Sequence, residues 1–146
     1  APPPHRLPHC RPCRPGPDSI SSSPLGHDPA MHTVPDCLFC RIASGELSAD
    51  RVLETEDVVA FRDINPQAPT HVLVIPREHV SSLDAAEPRH AETIGKLHLA
   101  AKRIAAEAGI QGGWRAVINV GADAGQTVFH VHLHLLGGRP LAWPPG

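Results

Sequence analysis

His130-Val131-His132-Leu133-His134-Leu135-Leu136 decides the reading of this chain. Three imidazoles alternate with apolar residues, and the run stops at Gly137-Gly138. Strict alternation over this length predicts a half-buried β-strand. Side chains at i, i+2 and i+4 of a strand share a face, so His130, His132 and His134 point one way, roughly 6.5–7 Å apart. Val131, Leu133 and Leu135 point the other way, into a core. A row of imidazoles on one face is costly unless it is well hydrogen-bonded, binds metal or does chemistry.

Working outward, the segment before this strand, Asn119-Val120-Gly121-Ala122-Asp123-Ala124-Gly125-Gln126-Thr127, is a loop. Its glycines let backbone N–H groups converge on an anion, and Gln126 and Thr127 add donors. Residues 114–119 read as a strand. Residues 88–108 read as a helix, with Pro88 suited to its first turn and Gly109 to its end. Ile94, Leu97, Ala101, Ile104, Ala105 and Ala108 form its apolar stripe; His90 and His98 read as surface positions. Strands are expected at 51–54, 58–62 and 71–76, and a short helix at 38–43 stopped by Gly45. Between the second and third strands, Asp63-Ile64-Asn65-Pro66-Gln67-Ala68-Pro69 is a loop, because Pro66 and Pro69 break ladders. Short, turn-linked strands with one long helix predict an α+β fold: a five-stranded antiparallel sheet, one long helix and a short N-terminal helix.

The chain has 146 residues, enough for one domain with a modest core. Its formal charge of -2 gives no basic footprint for nucleic acid. No apolar run approaches the ~18 residues of a membrane helix. Nine of the 17 prolines fall in the first 30 residues, a stretch poor in aliphatics and expected to be disordered. The expected organisation is a proline-rich extension over 1–36 and a folded domain over 37–146. Met31, the single methionine, is the expected start of the native chain; a transit peptide is the competing reading of the segment before it. Residues 1–30 carry no continuous apolar run of the secretory type, so a cytoplasmic setting is expected.

Four cysteines form two C-x-x-C pairs, Cys10/Cys13 and Cys37/Cys40. That spacing suits metal or redox work better than a disulfide framework. Cys37 and Cys40 would give two ligands of a tetrahedral zinc site completed by two histidines, or by Cys10 and Cys13; simple packing is the alternative. The histidine strand has two chemical readings that spacing alone leaves equally open. One is a nucleophilic imidazole, whose other ring nitrogen must be held by a partner. The other is a metal site using His at i and i+2. Asp63, at a strand end, is suited to accept two ribose hydroxyls.

Together these residues resemble the histidine triad family, specifically its Hint branch of nucleotide-binding phosphoramidases. The resemblance covers about residues 37–146. It rests on His130-x-His132-x-His134, Asp63-Ile64-Asn65-Pro66-Gln67-Ala68-Pro69-Thr70-His71, Leu73-Val74-Ile75-Pro76 and the ending Trp143-Pro144-Pro145-Gly146. It implies a homodimer with a purine nucleotide site in each protomer. His132 would be the nucleophile, with His71 and His130 orienting it and relaying protons. Asp63 would bind ribose and Ile64 the base, and Asn119, Gly125, Gln126, Thr127 and His134 would meet the α-phosphate. The family often has Ser where this chain has Thr127, so its part in protonating the leaving group is carried by a stiffer hydroxyl. Cys37-x-x-Cys40 is similar to a zinc-binding variant, which implies Cys37, Cys40, His71 and His130 as ligands of a structural zinc.

The implied activity is hydrolysis of the P–N bond of purine nucleoside 5′-phosphoramidates, of the AMP–amine or AMP–lysine type. Water would then release AMP or GMP from a nucleotidyl-histidine, with no metal required for catalysis. The competing readings are a dinucleoside polyphosphate hydrolase, a metallohydrolase with all three His on one ion, and a nucleotide- or zinc-binding interaction module without turnover.

Overall fold

The computed structural model describes residues 31–146. Residues 1–30, with Cys10 and Cys13, lie outside the described residues, as does most of the expected proline-rich extension. Helix α1 (Leu38–Ser44) is followed by strands β1 (Arg51–Glu54), β2 (Val58–Arg62) and β3 (Thr70–Pro76). Two single 3-10 turns lead into helix α2 (Ala91–Glu107), and strands β4 (Trp114–Val117) and β5 (Leu133–Gly137) close the domain. The sheet is antiparallel, in the order β1-β2-β3-β5-β4. This is the expected α+β architecture. Among the described residues no helix is long and apolar enough to cross a membrane.

The two faces of the sheet have different covers. Val58, Ala60, Val72, Val74, Leu133 and Leu135 pack against Leu97, Ala100, Ala101, Ile104 and Ala105 of α2. That is the expected helical stripe in the main, with Ala100 added and Ala108 exposed. The opposite face packs Val59, Phe61, Leu73 and Ile75 against Phe39, Ile42 and Ala43 of α1. β2 and β3 are therefore buried on both sides, which accounts for their unbroken apolar runs. α1 is only two turns long and ends where Gly45 adopts the left-handed conformation that glycine alone takes without strain (φ 88°). A helix this short covers only part of its face.

The histidine strand is shorter than its alternation suggests. β5 begins at Leu133, so only His134 of the three lies in the ladder. The cause is on the neighbouring strand. Val74 pairs with Leu133, and the next partners would bring Pro76 opposite Val131. Pro76 has no N–H to donate, and its carbonyl is taken by the Nε2–H of His130 at 2.9 Å. The chain over 130–132 stays alternating without the ladder: Val131 and Leu133 remain on the α2 face, while the rings of His130 and His132 meet Phe39 on the other. β4 likewise stops at Val117, not at residue 119.

Candidate active site and metal centre

The sulfurs of Cys37 and Cys40 meet two imidazoles. Nδ1 of His130 lies 3.5 Å from Cys37 Sγ and 3.6 Å from Cys40 Sγ, and Nδ1 of His79 lies 3.4 Å from Cys40 Sγ. All four donor atoms fall within 4.8 Å of one another. Cys37 is the residue just before α1 and Cys40 sits in its first turn; His79 follows the end of β3. The preceding chain drapes over the group: Val34 N–H faces Cys40 Sγ at 3.4 Å, and His79 N–H donates to the His32 carbonyl at 2.7 Å.

The tautomer of His130 follows from its surroundings. A carbonyl only accepts, so the 2.9 Å contact to Pro76 puts the proton on Nε2 and leaves the Nδ1 lone pair facing the sulfurs. Burial pushes His130 down to about 4 and also lowers His79, with His32 adding to the shift. Burial raises the Cys40 thiol, as expected of a sulfur with no cation beside it. Two soft sulfurs and two neutral imidazole nitrogens form a tetrahedral-type N2S2 donor set that fits zinc. The expected ligand set is corrected at one position: His79, not His71, joins Cys37, Cys40 and His130.

His71 belongs to a second group, with Asp63 and His134. The register explains the separation. His71 pairs with Leu136, six residues beyond His130, or roughly 20 Å of extended chain. The second group is a chain of hydrogen bonds with only one consistent set of protons. Gln67 N–H donates to His71 Nδ1 at 3.0 Å, so the His71 proton sits on Nε2. That Nε2–H donates to His134 Nδ1 at 2.9 Å, with Asp63 Oδ2 at 3.4 Å. His134 must then carry its own proton on Nε2, away from His71. Burial lowers His71, with Asp63 opposing. Burial, with His132 and His71 adding, pushes His134 down to about 4. Both rings are neutral at pH 7.

His132 lies between the two groups. Its ring is 5.0 Å from that of His134 and 5.1 Å from that of Phe39, centroid to centroid. Its Nδ1–H donates to the His130 carbonyl at 2.7 Å, which leaves the lone pair on Nε2. In its neutral form His132 thus carries a bare Nε2 and neighbours a ring that offers an N–H from Nε2. Chemically, the pair can offer a nucleophilic nitrogen and an N–H able to stabilise a developing anion.

The remaining expected residues divide. Asp63 is partly buried, its Oδ1 accepting from Asn65 N–H at 2.8 Å, and Ile64 is fully exposed beside it. Thr127 is exposed, and Asn119 lies against Gly125. Gly125 and Gln126, expected at the α-phosphate, have their N–H groups engaged within the loop. Gly125 N–H donates to the Ala122 carbonyl at 2.9 Å and Gln126 N–H to that of Gly121 at 3.0 Å. The Gln126 side chain is buried, accepting from Gly121 N–H and donating to the Ser81 and Val128 carbonyls. These contacts build the loop. His90, expected on the surface, is buried, its Nδ1 accepting from Glu87 N–H at 2.8 Å ahead of α2.

His79 is the functional candidate that sequence reasoning missed. In the β3/β5 register Pro76 falls opposite Val131, so a residue just past Pro76 lands near His130. Only the register carries that signal. The comparisons with known proteins agree with the architecture. The HIT domain family model matches residues 44–141. A 14 kDa zinc-binding protein of Zea mays is 49% identical over 75% of this chain and 87% of its own length. Adenylylsulfatase HINT1 of Arabidopsis thaliana is 45% identical over 75% of this chain and 76% of its own. The crystal structure of a HIT family hydrolase from Legionella pneumophila superposes with a TM-score of 0.74 at 46% identity, covering 76% of this chain and all of that one. With its histidine run, its sheet and this matched span, the chain belongs to the HIT domain family.

Proposed function

We propose that the chain is a nucleotide hydrolase of the Hint branch that cleaves the P–N bond of purine nucleoside 5′-phosphoramidates through a nucleotidyl-histidine. The observation that carries this reading is the matched pair of tautomers. His132 keeps its Nε2 lone pair because Nδ1–H is committed to the His130 carbonyl. His134 keeps an Nε2–H because Nδ1 accepts from His71.

In this reading Asp63 takes the ribose hydroxyls and exposed Ile64 the purine. His132 Nε2 attacks the α-phosphorus in line with the amine. The His134 Nε2–H and Asn119 stabilise the phosphoryl oxygens as charge develops, and the exposed Thr127 hydroxyl relays a proton from solvent to the leaving nitrogen, which departs as the amine. Water then attacks phosphorus and the P–Nε2 bond breaks; the nucleoside monophosphate is released, a proton goes to solvent, and His132 returns to its neutral form. Gln67, through its N–H, and His71 hold His134 in the required tautomer throughout. Cys37, Cys40, His79 and His130 would hold a zinc ion, whose contribution when bound is to tie α1 to the ends of β3 and β5. β4, an edge strand beside exposed Trp114 and Trp143, supports pairing with a second copy. Free Cys37 and Cys40 thiols suit a reducing, cytoplasmic compartment.

A second reading comes from the Arabidopsis relative's name: adenylyl sulfate, attacked by the same His132 with sulfate leaving. The test is AMP release from adenosine 5′-phosphoramidate and from adenylyl sulfate, by wild type and His132→Asn, with and without chelator. Chelator-resistant phosphoramidate turnover that vanishes in the variant supports the first reading. Turnover of adenylyl sulfate alone supports the second, and absence of both leaves a binding module.

A further inference from the structure

We infer, building on the reading of His132 as nucleophile, that Phe39 and His130 are positioning residues through which the Cys37/Cys40/His79/His130 group sets the attitude of the His132 ring. Two physical routes run from the donor group to His132, and both are short.

The first is backbone. His130 is fixed at three points: Nδ1 faces both sulfurs, Nε2–H donates to the Pro76 carbonyl, and its own carbonyl accepts the His132 Nδ1–H at 2.7 Å. The acceptor that fixes the nucleophile's tautomer therefore belongs to a residue whose ring is one of the four donors. The second route is a side chain. Phe39 lies between Cys37 and Cys40 in the first turn of α1 and is buried. Its ring meets His130 and His132 in T-shaped contacts, with centroids 5.9 Å and 5.1 Å away and planes 78° apart. Any shift of that turn moves the wall behind the nucleophile. His71 and His134 have a different anchor, the Gln67 N–H, and the contacts holding their tautomers involve none of the four donors. The donor group thus acts on the attacking ring, and reaches His134 only through that ring's edge contact, not through the hydrogen bonds that fix the His134 tautomer.

Such a link changes the chemical step more than substrate binding, because the ribose and base contacts sit with Asp63 and Ile64. Misplacing a reacting group by a fraction of an ångström costs rate without costing affinity. The test uses the full chain labelled with ¹⁵N-histidine. Long-range ¹H–¹⁵N spectra at one fixed pH are recorded for the zinc-loaded protein and after chelator removal. The expected result is a single Nδ1–H tautomer for His132 when zinc is bound and a broadened or mixed tautomer without it, while His134 is unchanged. In parallel, Phe39→Leu in zinc-loaded protein keeps an apolar side chain but removes the edge contact. Its kcat is expected to fall about tenfold with KM within about twofold, at full zinc content and near-native melting temperature. Identical His132 signals with and without zinc, or an unchanged kcat in Phe39→Leu, overturn the inference. If zinc removal unfolds the chain, the His132 signals and kcat of zinc-loaded Phe39→Leu decide it alone. If the wild type turns over no phosphoramidate, the proposed function fails, and the His132 spectra still test the link.

Discussion

The domain carries two histidine groups on one side of its sheet, and they differ in what holds the ring proton. In the group beside α1, His130 gives its N–H to a backbone carbonyl and turns a bare nitrogen toward two sulfurs. In the group beside the Asp63 loop, His71 accepts from a backbone N–H and passes a proton orientation to His134. The residue type is the same and burial lowers the pKa in both. The partner of the second nitrogen suits one imidazole to metal ligation and the other to fixing a neighbour's tautomer. His132 is hydrogen-bonded to the first group and meets the second edge-on.

The largest expected effect breaks this junction. His132→Asn should lower turnover by at least about a thousandfold while melting temperature and zinc content stay near wild type. Activity within tenfold of wild type would mean that the nucleophile lies elsewhere. Next, Cys40→Ser should abolish stoichiometric zinc, measured by elemental analysis, and cost a few kcal/mol of stability, on the order of what loss of a structural metal produces. His71→Ala should leave zinc in place, which separates the two groups directly; loss of zinc in His71→Ala with its retention in His79→Ala would restore the ligand set expected from sequence. His71→Ala should lower kcat roughly 10- to 100-fold by freeing the His134 tautomer. Thr127→Ala should have the smallest effect: it slows phosphoramidate hydrolysis, in which an amine must be protonated, and spares adenylyl sulfate, in which it need not be.

Acid gives a further contrast. In chelator-treated protein, folding holds His130 and His134 near 4 against an ordinary 6.5. The unfolded chain takes up protons before the folded one, so stability is full above pH 6.5 and is lost as pH falls toward 4. The loss should be several kcal/mol, with about 7 kcal/mol as the upper bound for the two histidines together, in denaturant titrations. Zinc should steepen the curve, since a ligating nitrogen cannot take up a proton in the folded state while the unfolded chain still can.

Much of this was legible in the sequence, and the failures share one cause. β1, β2 and α1 lie where turn residues and apolar runs put them, because those signals are local. The alternation over 130–136 correctly placed Val131, Leu133 and Leu135 in the core, since side-chain direction follows from extended backbone alone. It overstated the strand, since the ladder ends at a proline on another strand. The choice between His71 and His79 as metal ligand needed the β3/β5 register, and the roles of Gly125 and Gln126 needed the loop's own hydrogen bonds. Pairwise, long-range facts of this kind have no periodic trace. The tautomers, on which the chemistry depends, need atomic contacts to individual carbonyls and N–H groups.

The central claim is that His132 Nε2 attacks phosphorus and holds the nucleotide covalently. The most direct test is hydrolysis of a phosphoramidate made chiral at phosphorus with sulfur and isotopic oxygen. Two successive in-line displacements predict retention of configuration in the released nucleotide; inversion would mean that water attacks directly, and would contradict the covalent histidine.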